Sequence, residues 1–311
     1  MNLAIFFHAV NDIDWFEKTI ILLKKEFQMI SIHQLNQFYK GEIKLSDTCH
    51  ITIDDGDISF YTTIFPILKK HNVPATLFVS PSICRDSSNF WFQDLQDLNK
   101  ENIIKYIQNL NIVPSNFIKS VSDVSYTFKC LQIKDILGLL HDFKSSHLIS
   151  NTNHSRNINL PQLLEIAACD LIEIGAHTLN HPILSNENHE TSNFEISESI
   201  RLLESLLGKK IRFFAFPNGI PNIDFGGREV EILKTNNVEL AFTTEPKVLS
   251  LKDNPLRIPR ISISYGNAGF LYAKLYLLRY LKTISLFWSP AIRKRKIFLK
   301  LIKKDFKTSV N

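Results

Sequence analysis

Short apolar runs alternate with longer amphipathic segments along most of the chain. The predicted strands are residues 3–7, 50–53, 75–79, 171–175, 211–216, 240–243 and 258–263. The predicted helices include residues 15–26, 58–70, 131–147, 160–168, 194–207 and 228–236. Alternation of this kind is typical of βαβ units. The pattern therefore predicts an α/β protein with a parallel sheet or barrel, whose working residues gather at the carboxyl ends of the strands.

Two parts of the chain depart from this alternation. Polar clusters bracket helical patterns over residues 85–159, which predicts a helical insertion covering one rim of the barrel rather than a separate domain. Residues 268–311 form two amphipathic helical patterns divided at Ser289-Pro290. Lys274, Arg279 and Lys282 share one arc of the first of these helices. The predicted domains are a barrel over residues 1–267 and basic C-terminal helices over residues 268–311.

Charge is unevenly distributed. From Ala273 to the end there are 11 Lys and Arg against one acid, a net charge of +10, whereas the whole chain carries +5. This asymmetry suggests an anionic partner for the tail, such as a membrane surface, a phosphate-bearing lipid or a protein. The alternative is a helix packed on the body with a solvated basic face. No nucleic acid is expected, because no aromatic-interleaved basic groove accompanies the charge.

The N-terminus and the hydropathy predict the compartment. The first residues lack a basic segment and are not a convincing signal peptide. No run of about 18 charge-free apolar residues predicts a membrane span. The four cysteines show no disulfide or C-x-x-C spacing. We therefore expect a cytoplasmic protein, peripheral at the inner face of the membrane if the tail binds lipid.

Three stretches at predicted strand ends are candidates for chemistry. In "ITIDDGD" (51–57), two adjacent carboxylates, Asp54 and Asp55, follow a buried strand. They fit either a solvated turn or a site where one acid binds a cation and the other moves a proton. In "GAHTLNHP" (175–182), His177 and His181 lie one helical turn apart, so both imidazoles can face one cation such as Zn²⁺. Polar turn histidines are the structural alternative.

The third stretch, "FFAFPNG" (213–219), runs a strand into a Pro-Asn-Gly turn. It fits a plain turn, or a turn in which a backbone N–H after Pro217 serves as an oxyanion donor. Together with "PILKKHNVPATLFVS" (66–80), the three stretches resemble, in their order, the motifs of the polysaccharide deacetylase family, the NodB-homology carbohydrate esterases of family 4. The resemblance covers about residues 3–83 and 160–263.

This resemblance implies a fold and a reaction. The fold would be a distorted (β/α) barrel of seven or eight strands, with the helical insertion and C-terminal appendage added. The reaction would be metal-dependent hydrolysis of an N-acetyl group from an amino sugar in a polysaccharide or glycoconjugate, in bacterial surface-polysaccharide metabolism. The implied ligands of one divalent metal ion, expected to be Zn²⁺, are Asp55, His177 and His181. Asp54 would be the general base, and the turn at Pro217 and Asn218 would hold the oxyanion or substrate.

The chain departs from the family pattern at two motifs. Ala215 stands where the third motif usually has the Arg that orients the base; Arg212 has the wrong phase to replace it, and Arg260 is the better candidate. The usual Leu-x-His near the end of the barrel has no counterpart in "RIPRISISY" (257–265). However, "LAIFFHAVND" (3–12) resembles the N-terminal stretch of the permuted poly-N-acetylglucosamine deacetylase-like branch, which implies that His8 is the general acid. A capping or packing role is the alternative.

Other functions stay open from sequence alone. The chain fits a deacylase of a lipid-linked or nucleotide-linked sugar, which the basic tail would suit. It also fits an inactive carbohydrate-binding relative, since the motif Arg is missing and the acid displaced. The remaining histidines, His50 among them, lie in patterns without evident partners and receive no role.

Overall fold

The computed structural model describes residues 1–148, 155–263, 265, 273, 275–277 and 290–302. The chain forms two compact units. One comprises Met1–Ser88 and Ser155–Ile284, and the other comprises Asn89–His154 and Ser285–Asn311. The domain limits predicted from the sequence stay a prediction.

The first unit is built on a curled parallel sheet. Its strands are β1 (Leu3–Phe7), β2 (Gln28–Met29), β3 (Thr48–Ile53), β4 (Ala75–Val79), β5 (Ile172–Ala176), β6 (Phe213–Ala215), β7 (Leu240–Phe242) and β8 (Ile261–Ser262). The strand order is β7-β6-β5-β4-β3-β1-β8, with β2 beside β3. A parallel bridge between Phe242 and Ile258 joins β7 to the segment before β8, which brings the two edges together. The predicted distorted (β/α) barrel is confirmed.

Helices surround this sheet. They are α1 (Ile13–Glu26), α2 (Ile32–Tyr39), α3 (Phe65–His71), α4 (Pro81–Asp86), α9 (Leu160–Ala167), α10 (His189–Leu207) and α11 (Gly227–Thr235). A π-helical turn, Phe60–Ile64, precedes α3. Side chains cap several of these helices: Asp12 accepts from the Trp15 N–H, and Ser31 with Gln34 forms a capping box. Caps of this kind satisfy backbone N–H groups that the first helical turn leaves unpaired.

Opposite faces of the strands build separate apolar layers. Ile5, Ile51 and Leu77 belong to the cluster that includes buried residues of α1, α3 and α10. Alternate positions such as Phe78 and Phe242 belong to a second cluster, which also contains buried side chains of α2. This period of two places the strands from β1 to β7, apart from the short β2, between two apolar environments. The sheet is therefore buried on both sides, and its polar inward positions must find partners within the protein.

The second unit is helical. It contains α5 (Trp91–Asp97), α6 (Lys100–Leu110), α7 (Val121–Phe128), α8 (Ile133–Ser146) and α12 (Pro290–Leu301). Helix α12 packs on α7, with the rings of Phe298 and Tyr126 6.0 Å apart and an ion pair between Lys294 and Asp123. It begins at the proline that divides the predicted tail helices, as expected for Pro in a first helical turn.

Lys274, Arg279 and Lys282 of the first predicted tail helix lie outside the described residues. Over the part of the chain that the structure describes, no helix is both long and apolar enough to cross a bilayer.

Candidate active site

The two adjacent aspartates at the end of β3 face different partners. The Asp54 N–H donates to Phe7 O at 3.0 Å, which continues the pairing of β3 with β1 by one residue. Asp55 and Gly56 then both adopt left-handed backbone conformations, with φ of +73° and +75°. Such angles are unusual for a residue with a side chain and turn the chain sharply. The turn separates the two carboxylates, although they are neighbours in sequence.

Asp55 meets both predicted histidines. Its Oδ1 lies 3.4 Å from His177 Nε2 and 3.5 Å from His181 Nε2. All three side chains are buried, and their candidate ligand atoms lie within 4.8 Å of one another. Oδ1 is buried without a well-formed hydrogen bond. A buried carboxylate oxygen facing two imidazole nitrogens fits a small divalent cation, which would satisfy all three.

Backbone contacts orient the first histidine. His177 Nδ1 lies 2.7 Å from Ala215 O, and a carbonyl only accepts, so Nδ1 donates and Nε2 is left toward Asp55. A hydrogen bond of this type fixes the tautomer that a metal-ligating imidazole needs. Ala215 therefore contributes its carbonyl to the site, although its side chain replaces the expected arginine.

An irregular turn, rather than a helix, brings His181 beside His177. Thr178 and His181 both have positive φ, of +64° and +55°, so the expected helical turn is absent although the imidazoles do converge. The His181 N–H donates to Thr178 Oγ1 at 3.1 Å. The buried Glu195 on α10 accepts from the N–H groups of Leu179 and Asn180 and from the Asn180 amide at 2.7–3.0 Å. These contacts stabilise a strained turn at the site.

Asp54 is paired with Arg260. Arg260 Nη1 and Nη2 lie 2.8 Å from the two carboxylate oxygens, and both side chains are buried. The guanidinium also donates to Thr52 Oγ1 at 3.0 Å and to Thr243 O at 2.9 Å. A bidentate pair of this kind holds the carboxylate plane in one orientation.

Three aromatic rings surround the same guanidinium. The rings of Phe6, Phe78 and Phe242 have centroids 4.7–5.8 Å from its carbon. Cation–π attraction supplements the hydrogen bonds where water is excluded. Arg212, by contrast, pairs with Glu239 at an exposed position. This agrees with the prediction that Arg212 cannot replace the arginine of the third motif.

The charged side chains of the site shift each other's pKa values. Burial alone would raise the pKa of Asp54, but the charge and hydrogen bonds of Arg260, together with the charge of His177, lower the pKa. Burial alone would raise the pKa of Asp55, but the imidazoles of His177 and His181 hold it well below its usual range. Burial would lower the pKa of His177, but its contacts with Asp55 and the charge of Asp54 raise it. Both carboxylates are therefore ionised at neutral pH.

His8 and Asn218 follow the carboxyl ends of β1 and β6, which are not adjacent in the sheet. His8 directly follows Phe7, whose carbonyl accepts from the Asp54 N–H, and its side chain is exposed. Asn218 lies three residues after Ala215 with φ of +55°, and its buried Nδ2 has no hydrogen-bond partner. Thr244 Oγ1 donates to Asn218 O and so holds the turn that contains Pro217. The structure thus gathers the predicted residues at one edge of the sheet, and their roles stay predictions.

Sequence reasoning did not find several supporting groups. Glu195 lies on α10, only about four helical turns of chain beyond the turn that it holds, and Thr52 precedes the aspartates on β3. A period-two pattern of polar residues inside an apolar strand was the available signal, since His50 and Thr52 share the face of Asp54. His50 has partners after all: its Nδ1 donates to Ile30 O at 2.9 Å, and its Nε2 lies 3.0 Å from Thr76 Oγ1.

Comparison with known proteins agrees with this geometry. The family model described as polysaccharide deacetylase matches residues 43–112 and 132–237. A poly-β-1,6-N-acetyl-D-glucosamine N-deacetylase of Staphylococcus epidermidis is 24% identical over 214 residues, which are 69% of this chain and 54% of that protein. The chain therefore spans about half the length of the curated relative that it matches.

Solved structures share the fold. IcaB from Ammonifex degensii has a TM-score of 0.59 at 18% identity, covering 88% of this chain and 95% of that one. The Streptococcus pyogenes deacetylase PplD, in complex with acetate, has a TM-score of 0.56 at 17% identity, covering 84% and 92%. The deacetylase domain of BpsB from Bordetella bronchiseptica has a TM-score of 0.55 at 18% identity, covering 85% and 96%.

A curled parallel barrel that carries a buried Asp-His-His cluster beside an Asp-Arg pair defines a NodB-type barrel protein. Since the family model matches more than half of its residues, the chain belongs to the polysaccharide deacetylase family.

Proposed function

We propose that the protein is a metal-dependent carbohydrate N-deacetylase that removes N-acetyl groups from an amino-sugar polysaccharide of the poly-N-acetylglucosamine type. The observation that carries the proposal is the Asp55–His177–His181 cluster immediately beside the Arg260-paired Asp54. The Asp55–His177–His181 cluster fits a cation, and Asp54 supplies an ionised base. The name of the S. epidermidis relative supports the choice of sugar.

The cluster would hold one divalent cation, and the two imidazoles with a single carboxylate favour Zn²⁺. Such an ion supplies a Lewis acid and raises the acidity of water at the site. Asp54 accepts the proton of the attacking water, because it is ionised and held in one orientation by Arg260. Its charge is retained at neutral pH because the same pairing lowers its pKa.

The other strand ends serve the remaining steps. His8 donates a proton to the departing amine, since its exposed ring follows the strand that is hydrogen-bonded to Asp54. The Pro217–Asn218 turn stabilises the oxyanion through a backbone N–H that follows Pro217. The products are acetate and a free amino sugar.

Metal content and acetate release test the proposal together. We expect about one zinc per purified chain and loss of this metal in the His177→Ala/His181→Ala double variant. The wild type should release acetate from β-1,6-linked N-acetylglucosamine oligomers, and Asp54→Asn should lower that rate by about 100-fold or more. A folded wild-type protein that takes up no metal after loading would exclude the mechanism and favour the inactive binding relative. Acetate release only from a lipid-linked or nucleotide-linked sugar would favour the alternative that the protein is a deacylase of such a sugar.

Contact of the basic tail with an anionic membrane is a separate proposal. In its described part, α12 exposes Arg293, Lys296 and Lys300. Co-sedimentation with phosphatidylglycerol vesicles that is lost in about 0.5 M salt would support the contact. Absence of binding at low salt would contradict it and the predicted location at the inner face of the membrane.

A further inference from the structure

The loop that carries His8 has a single buried anchor. This loop runs over residues 8–11, between β1 and the N-cap of α1, and Val10 is buried whereas the other three residues are exposed. The Val10 side chain belongs to the apolar cluster shared with α1 and α3. Its N–H donates to Ser59 Oγ at 2.9 Å, and both groups are buried. Within the described part of the chain, this is the one hydrogen bond made by the loop.

Ser59 is itself held by the turn that carries the two aspartates. Its N–H donates to Asp57 Oδ1 at 2.8 Å, and Asp57 lies two residues beyond Asp55. The Ile58 N–H donates to Arg156 O at 2.7 Å, which ties the same turn to the segment before α9. The side chain of Ser59 is buried, so water does not compete for its hydroxyl. The serine hydroxyl therefore has a fixed position relative to both aspartates.

The His8 ring lies next to a ring that contacts Arg260. Its centroid is 5.5 Å from that of Phe6, in an edge-to-face arrangement. The Phe6 centroid lies 4.7 Å from the guanidinium carbon of Arg260, which holds Asp54. A general acid acts only within hydrogen-bond reach of the atom that it protonates. The position of the loop therefore sets how well His8 can serve the reaction.

We propose that Ser59 is a positioning residue for the general acid His8, because its hydroxyl joins the loop after β1 to the turn of the two aspartates. The inference rests on the proposed function, which it deepens by assigning a residue that acts through His8. Ser59 acts through the Val10 N–H. Its removal therefore affects the step that His8 performs, the transfer of a proton to the departing amine as the C–N bond breaks.

An ester with a good leaving group separates proton donation from the rest of the reaction. Para-nitrophenyl acetate releases a phenolate that needs no proton, whereas the amine of an N-acetylglucosamine oligomer must be protonated. We expect Ser59→Ala to lower kcat on the β-1,6-linked pentamer about tenfold with KM unchanged, and to leave ester hydrolysis unchanged. The control is Ser199→Ala, since Ser199 is also buried and its hydroxyl donates to Ile196 O within α10. A disturbed aspartate turn would instead lower both rates equally, which would overturn the inference.

A double variant tests whether Ser59 acts through His8. In the His8→Ala background, Ser59→Ala should lower the rate on the pentamer by less than about twofold, because the acid to be positioned is already absent. A further loss of about tenfold in that background would overturn the inference, since two independent effects add. The same would follow if Ser59→Ala kept the activity of Ser199→Ala on the pentamer.

Hydrogen exchange of the Val10 N–H, followed by NMR, tests the contact without catalysis. Ser59→Ala should accelerate this exchange about fivefold or more, and Ser199→Ala should not. If the wild type releases no acetate but the exchange responds in this way, the loop anchor stands, whereas the proposed function and the role of His8 fail. If acetate is released and the exchange is the same in both variants, the inference is wrong and the function stands.

Discussion

Replacement of Arg260 by Met should destabilise the protein and abolish its activity. The guanidinium is fully buried and makes two hydrogen bonds of 2.8 Å to Asp54, as well as bonds to Thr52 and Thr243. Its removal leaves the charge of Asp54 buried without a counterion. Loss of one partner of such a pair costs about 3–5 kcal/mol. Met fills much of the volume of the removed aliphatic stem. The loss of unfolding free energy therefore reflects the unpaired charge of Asp54 more than a new cavity.

A double-mutant cycle with Asp54→Asn measures this interaction. Urea unfolding gives the free energy for wild type, both single variants and the double variant. We expect the double variant to lose at least about 2 kcal/mol less than the sum of the single losses, because it no longer contains an unpaired buried charge. The control is Arg212→Met, which breaks the exposed pair with Glu239 and should cost about 0–1 kcal/mol. Additive losses at Arg260 and Asp54 would refute the reasoning.

Further predictions concern stability and the metal site. Burial lowers the pKa of His50 to about 4, so between about pH 6.5 and 4 the unfolded chain binds a proton that the folded chain does not. The wild type should therefore lose about 3 kcal/mol of unfolding free energy over this pH range, and His50→Asn should not. Urea unfolding of both proteins measures this, and the same pH dependence in both would contradict the prediction. A Cβ at Gly175 would lie 2.9 Å from Phe213 O, so Gly175→Ala should lower the unfolding free energy by about 1–3 kcal/mol. The control Gly138→Ala has open space in a helix and should stabilise by about 0.5–1 kcal/mol. Glu195→Gln should raise the Kd for Zn²⁺ by about 10- to 100-fold, measured by competition with a chelator, and an unchanged Kd would show that the turn does not depend on the carboxylate.

Strand positions followed closely from the sequence. The predicted segments 3–7 and 75–79 coincide with β1 and β4, and 50–53 lies within β3. These strands are buried on both faces, so their apolar runs stand out from the amphipathic helices. The two-residue β2 and helix α2 were not predicted. The Ser31–Gln34 capping box at α2 was a usable signal for the latter.

By itself, the sequence determined the barrel, the family resemblance and the set of residues that meet at the site. These depend on local patterns: a strand that ends in paired acids, a histidine spacing and a Pro-Asn-Gly turn each lie within a few neighbouring residues. Only the tertiary structure decided how those residues are held. Arg260 reaches Asp54 across more than 200 positions of chain, and Glu195 holds the histidine turn from a separate helix. The Arg260 contact arises because the curled parallel sheet places β8 beside β1 and one strand away from β3, and no local pattern encodes that arrangement.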